Sequence, residues 1–214
     1  MRFELARQRL SQLPADLPPP PAELTPMLLS APNGESRGVR PFPAGPSRDA
    51  AVLVLVHPDP DGEARLVLTE RAVGGHRHAG QVSLPGGAID ATDESIVAAA
   101  LREAREEVGL RAEAAGVIVV GVVAPVEVRV SGFRVHPVIA LAPRSPPLTA
   151  SAHEVAAIIN APLAAFLPGA PIEIVTAEWD GAQLRYGAYR VGRHMVWGAT
   201  AGILGRLGAF LAGR

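Results

Sequence analysis

Cysteine is missing from all 214 residues. Disulfides, thiolate metal sites and a cysteine nucleophile are thereby excluded, and the composition fits a reducing, cytoplasmic setting. Aromatic residues are scarce, at 4% of a chain that is 48% hydrophobic, so aliphatic side chains and alanine must fill the core. Net charge is nearly absent too: 20 Lys and Arg stand against 21 Asp and Glu, a formal −1. Such a chain has no global field to draw in nucleic acid or an anionic membrane, and neither partner is expected. A polyanionic ligand must be held by local arginines, backbone amides or metal ions. Long apolar runs are lacking as well. The longest, MVWGATAGILGRLGAFLAG at 195–213, is interrupted by Arg206 and repeated glycines and falls short of the ~20 apolar residues of a spanning helix. It predicts a buried terminal helix; a homodimer contact along its small residues is the second reading. The opening MRFELARQRL is charged and amphipathic, unlike a secretory signal.

Proline, by contrast, is plentiful, with 21 copies. Many crowd the stretch from Pro14 to Ser47, in LPADLPPPP and RPFPAGPS, where extended wrapping or a loose arm is expected in place of regular structure. Residues 1–12 read as a short helix. The chain therefore divides into an N-terminal helix and proline-rich arm over 1–48 and a folded domain over 49–214.

Within that domain AVLVLV (51–56) is a continuous β-branched run, the pattern of a strand buried on both faces. HPDPDGEA carries turn signals, and RLVLTER (65–71) reads as the second arm of a hairpin. GQVSLPGG (80–87) is a short strand entering a glycine turn. VIVVGVV (117–123) and FRVHPVIAL (133–141) are further strands, and IEIVTAEW with AQLRYGAYRV forms a late hairpin. AHEVAAII (152–159) fits either a helical turn or a short strand. The fold class is α/β (α+β): a mixed sheet with helices on both faces.

One helix carries the chemistry. Residues 93–108 read as helical, capped by Thr92 or Asp93 and ended by Gly109 in a left-handed conformation. Val97, Leu101, Ala104 and Val108 recur at helical spacing and mark the core face. In REAREEVGL (102–110), Glu103, Glu106 and Glu107 lie within about 100° of one another beside that face. Like charges this close repel by roughly 0.2–0.5 kcal/mol per pair. A solvated face laced by ion pairs such as Arg102–Glu106 is one explanation. The other comes from the flanks. Gly86-Gly87 permits close backbone approach to a ligand, and clustered carboxylates suit a hard divalent cation, which completes its shell with water and phosphate oxygens.

The stretch GGAIDATDESIVAAALREAREEVGL (86–110) resembles the signature box of the Nudix hydrolases, with a complete match from Arg102 to Leu110. The loop holds one residue more than the usual box. Asp93 therefore fits the spacing counted from the glycine and Glu94 the spacing counted from the arginine, and either can fill the place of the acid that positions Arg102. Upstream, LTERAVGGHRHAGQVSLPGG (68–87) is similar to the coenzyme A pyrophosphatase branch of the family, through Leu68, Thr69, Arg71, His78, Gly80, Gln81 and Val82. The extra box residue is a feature of the same branch. SGFRVHPVIA (131–140) and VWGATAGIL (196–204) also resemble it.

This resemblance implies a Nudix-like α/β/α sandwich over 49–214 and Mg²⁺- or Mn²⁺-dependent hydrolysis of the pyrophosphate of coenzyme A. It implies Glu103, Glu106 and Glu107 as metal ligands, with the Gly87 carbonyl beside them. Glu107, Glu103 or the loop residue Glu154 would be the general base, and Arg102 would orient a glutamate. Arg71, His78 and Gly86 would face the substrate. His76 and Arg77 read as surface residues, and a zinc pair of His76 with His78 lacks further ligands at sensible spacing. Glu127 is a weaker acidic contact. The alternatives are another nucleoside diphosphate derivative, such as ADP-ribose or NADH, and a non-catalytic nucleotide-binding module on the same fold.

Overall fold

The apolar run at 51–56 becomes the centre of strand β2 (Arg48–Pro58), which is buried along most of its length. The computed structural model describes residues 1–30, 47–72, 80–128, 131–179 and 182–213. Strand β2 runs parallel to β8 (Phe133–Leu141) and antiparallel to β3 (Ala64–Arg71) and β5 (Gly86–Ala88). Strand β3 pairs in turn with β4 (Val82–Ser83) and β9 (Val155–Pro162), and β8 with β6 (Ile118–Val122) and β7 (Val126–Val128). The result is a mixed sheet. A second, antiparallel sheet holds β1 (Met27–Ser30), β10 (Ile172–Trp179), β11 (Ala182–Val191) and β12 (His194–Trp197).

Because β2 is apolar on both faces, the main sheet needs a layer on each side. Ala51, Leu53 and Leu55 pack against helix α2 (Ile96–Val108). Val54 and Val56 face the opposite layer, with Ala6 and Leu10 of α1 (Phe3–Leu10) and Leu204 and Leu207 of α3 (Gly198–Leu211). Alanine is what brings α2 close: Ala99, Ala100 and Ala104 are fully buried, whereas Val97 and Leu101 of the expected stripe are half-buried at its margin. Scarce aromatics are spent where an edge contact is needed, as in Phe166 against Tyr189, with ring centres 5.2 Å apart.

Several elements differ from the sequence reading. Helix α2 starts at Ile96 rather than 93, and Ser95 is its N-cap, accepting a hydrogen bond from the Ala98 amide at 3.1 Å. Thr92 and Asp93 do not cap, because Asp93 is committed elsewhere. The start of the expected terminal helix is instead β12, and Gly198, at φ 63°, makes the turn into α3. From Val155 on, the segment at 152–159 is a strand, since β9 (Val155–Pro162) finds the free edge of β3. The proline-rich arm contributes a strand, β1, and buries Leu17 and Leu24. Arg206, the charge interrupting the terminal apolar run, donates to the carbonyls of Leu17 and Pro18 and anchors that arm. Residues 31–46 of the arm lie outside the described residues. Gly205 and Gly208 of α3 serve contacts within the chain: a Cβ on Gly205 would meet Leu24 and Pro21, and one on Gly208 the Phe166 carbonyl. Among the described residues no helix is long and apolar enough to cross a membrane.

Candidate active site

The N-terminal half of β2 pairs with the double glycine, Val52 opposite Gly86 and Ala51 opposite Gly87. That pairing explains why no side chain is tolerated at Gly86. A Cβ on Gly86 would lie 2.3 Å from the Ala51 carbonyl oxygen and 2.6 Å from the Val52 Cα. On Gly87 it would lie 2.6 Å from the Glu103 carboxyl atoms. The corner is thus flattened against β2 on one side and against a helix carboxylate on the other.

Glu103 and Glu107, one helical turn apart, both reach this corner. Glu107 is 4% exposed, and its Oε2 accepts a hydrogen bond from the Gly86 amide at 3.2 Å. Burial pushes its carboxyl up to about 7; the Gly86 amide and the Arg71 guanidinium oppose that rise, while Glu103 and Glu154 add to it. Burial also raises Glu103, against the pull of Arg102 and with help from Glu106 and Glu154. Two carboxylates held above their ordinary range by burial and mutual repulsion are a natural seat for positive charge. Glu106 is half exposed.

Arg102 offsets the repulsion among these carboxylates. Its guanidinium grips Asp93 with two bonds of 2.9 Å, donates to Glu103 at 2.9 Å and Glu106 at 3.0 Å, and reaches the Ala88 carbonyl at 3.1 Å. Asp90 stands 3.7 Å away. The extra loop residue is therefore resolved in favour of Asp93, whose carboxyl is held below the usual range by Arg102 and by the Asp90 amide. The sequence left Asp93 and Glu94 equivalent; the decision needed the path of the loop. Asp90 and the Ala88 carbonyl carried no sequence signal.

Glu154 is brought in from a distant part of the chain. The amide of Ser151 donates to the Glu107 carbonyl at 2.8 Å and that of Thr149 to the Val108 carbonyl at 2.9 Å, pinning the loop before β9 to the end of α2. The Ala72 amide then binds the Glu154 carbonyl at 2.9 Å. Glu154 and Arg71, both exposed, come to stand where their charges act on Glu107. Glu127 is not part of this group: it is paired with Arg134 at 2.8 Å on the β7–β8 hairpin. His76, Arg77 and His78 lie outside the described residues.

The donors fit a hard divalent cation, being carboxylate and backbone oxygens with no thiolate or imidazole among them. Glu103, Glu106, Glu107 and the Gly87 carbonyl could hold such an ion. Among the described residues, no three acidic or imidazole groups converge closely enough to do so as they stand. Arg102 holds Glu103 and Glu106 at present, so ligation by all three glutamates requires at least one to turn.

Comparison with known proteins points to one family. A family model described as NUDIX domain matches residues 47–157. The chain is 46% identical over 160 residues to a Cronobacter sakazakii protein named as an uncharacterized Nudix hydrolase, NudL; the match spans 75% of this chain and 81% of that one. The NudL of Salmonella paratyphi B is 43% identical over the same shares. Among solved structures, a Nudix hydrolase from M. smegmatis, RenU, has 30% identity and a TM-score of 0.42, covering 64% of this chain and 80% of that one.

Proposed function

The chain belongs to the Nudix hydrolase family, and from that premise we propose that it hydrolyses the pyrophosphate bond of coenzyme A, releasing 4′-phosphopantetheine and adenosine 3′,5′-bisphosphate. The broader activity, hydrolysis of a nucleoside diphosphate derivative, follows from the family. The coenzyme A assignment rests on the stretch from Leu68 to Gly87 that resembles that branch. One structural observation carries the proposal: Glu103 and Glu107 are packed against consecutive glycines, with Glu154 near enough for its charge to raise the carboxyls of both.

Magnesium or manganese, once bound, would lessen the charge of the diphosphate and acidify a water molecule. Glu103, Glu106, Glu107 and the Gly87 carbonyl are the groups proposed to hold it. The charge of Glu154 acts on both Glu103 and Glu107, and we assign it the proton taken from the attacking water, with Glu103 or Glu107 as the competing bases. Arg71, whose charge acts on Glu107, neutralises a phosphate oxygen. Arg102 acts through its neighbours, fixing Glu103 by a charge-assisted bond. His78 retains the substrate role implied by the resemblance.

The test is a substrate panel: purified protein with Mg²⁺ or Mn²⁺ and, separately, coenzyme A, ADP-ribose, NADH and ATP, with products resolved by chromatography. Preferential release of adenosine 3′,5′-bisphosphate from coenzyme A is the expected result. Turnover of ADP-ribose or NADH alone would move the activity to another substrate, and tight binding without turnover would make the protein a nucleotide-binding module.

The two glycines should part company in the same assay. Gly86→Ala places its Cβ against β2 backbone that cannot yield, so a lower melting temperature and poor recovery of folded protein are expected. Gly87→Ala meets only a carboxylate. It should melt near the parent and still lose turnover, because Glu103 is displaced. Thermal melts beside the hydrolysis assay decide it; equal melting losses in both variants would remove the distinction.

A further inference from the structure

A cleft of about 320 Å³ opens between the end of β3 and the β11–β12 hairpin. It lies at the lower end of the roughly 300–1,000 Å³ of small-molecule sites, room for a heterocycle with its sugar. Its apolar wall is Val82, Met195 and Trp197. Tyr186 stacks on the Trp197 indole, with ring centres 4.7 Å apart and planes 28° from parallel, and so fixes the indole's orientation. The polar wall is Glu70, whose carboxylate stands 3.7 Å from Arg193 and 3.8 Å from His194. Those separations exceed hydrogen bonds, so neither contact ties up an oxygen geometrically.

The cleft is joined to the carboxylate site through two adjacent residues. Side chains alternate along a strand, so Glu70 faces the cleft while Arg71 faces the side of Glu107. Strand β3 also shifts register against β9 between these two residues. The backbone of Gly80 and Gln81, on the cleft's rim, is hydrogen-bonded to that of Arg71 at 3.1 and 3.0 Å. A ligand crossing the end of β3 can therefore present a diphosphate to one side and a flat ring to the other.

We propose that this cleft receives the purine base of the substrate, against Trp197, with Glu70 accepting a hydrogen bond from the base's exocyclic amine. The inference rests on the hydrolase reading and names the part of the molecule that the carboxylate site cannot select. A purine fits the parts: aromatic walls hold the face of a base through stacking, while a carboxylate accepts from an amino group at its edge. The hairpin carrying Trp197, outside the matched 47–157 segment, then sets specificity for the nucleoside.

Binding of metal-free protein tests this without turnover. The chain has two tryptophans, so Trp179→Phe leaves Trp197 as the only indole reporter. In that protein AMP is expected to quench the fluorescence saturably and more tightly than CMP, while ribose 5-phosphate and pantetheine leave it unchanged. Calorimetry on Trp197→Leu should show AMP binding weakened by roughly ten- to a hundredfold, and on Glu70→Gln by about tenfold. Glu70→Gln should also raise KM for the nucleotide substrate with kcat unchanged. Absence of quenching by AMP, or quenching by pantetheine as strong as by AMP, overturns the assignment. Because no hydrolysis is measured in the titration, such a result would leave the pyrophosphatase reading standing, and failure of the substrate panel would leave the base site to be judged alone.

Discussion

Glu107→Gln is expected to lower the rate of pyrophosphate hydrolysis by roughly 10²–10⁴-fold, the range over which essential acid–base groups contribute, while the protein stays folded. The amide keeps the shape of the side chain, and its oxygen can still accept from the Gly86 amide that now binds Oε2. What it loses is the charge that faces Arg71 and would face a cation. Stability should move the other way. A buried carboxyl raised from 4.5 to about 7 holds its proton in the folded state across a window where the unfolded chain has released it. The folded state then binds more protons, so the stability of metal-free protein falls as pH rises from about 4.5 to about 7. Glutamine has no such step. Metal-free Glu107→Gln should therefore melt at or above the parent at pH 8, and show a flatter melting profile between pH 5 and 8. Wild-type turnover in the variant would sink the assignment of this carboxylate. A melting temperature well below the parent would mean that the group supports the fold in a way its burial does not explain.

Arg102→Met should produce the second largest loss, by a different route. The substitution leaves the rest of α2 in place but removes every bond that ties Glu103, Glu106 and Asp93 together. Asp93 has a side chain 5% exposed and would be left without its counter-ion. Partners that orient metal-binding groups typically account for 10–100-fold in metal affinity or activity, and a loss of that size is expected, with a lower melting temperature. Arg102→Lys should recover little, because an ammonium cannot grip Asp93 with two parallel bonds and still reach Glu103. The double variant Arg102→Met with Asp93→Asn should melt above the single Arg102→Met variant, since the stranded charge is gone. Parallel melts and kcat/KM measurements on the four proteins check this. Full activity in Arg102→Met would show that the glutamates need no such tether.

The parts of the fold that were legible are those in which local pattern and tertiary demand agree. The all-apolar β2 announced a strand covered on both sides, and strand β8 has the same bounds as the 133–141 segment read from the sequence. Gly109 ends α2 at φ 65° as its position implied. The misread elements are those where partner strands outweigh local preference. Strand β12 takes Met195 to Trp197 from the segment read as the terminal helix, drawn out as a strand by pairing with β11. Strand β1 forms in proline-rich sequence because β11 offers an edge. The short loop before α2 was legible in composition only. Three consecutive candidates for the cap and the arginine partner, Thr92, Asp93 and Glu94, could not be ranked without knowing where Arg102 points.

The sequence by itself determined the chemistry's inventory: the acidic ridge of α2, the double glycine before it, the family they mark, and a two-faced apolar strand that demands layers on both sides. Those follow from spacing along one chain. Only the tertiary structure decided which acid grips Arg102, that the loop bearing Glu154 is tied to the end of α2, and that the rim of an aromatic cleft from the far end of the chain is hydrogen-bonded to the backbone of Arg71. The first turns on the path of the short loop before α2, since Asp93 and Arg102 are only nine residues apart; the others are meetings of groups tens of residues apart, set by strand pairing and by loop hydrogen bonds such as that from Ser151 to the Glu107 carbonyl, and no periodicity along the chain encodes such a meeting.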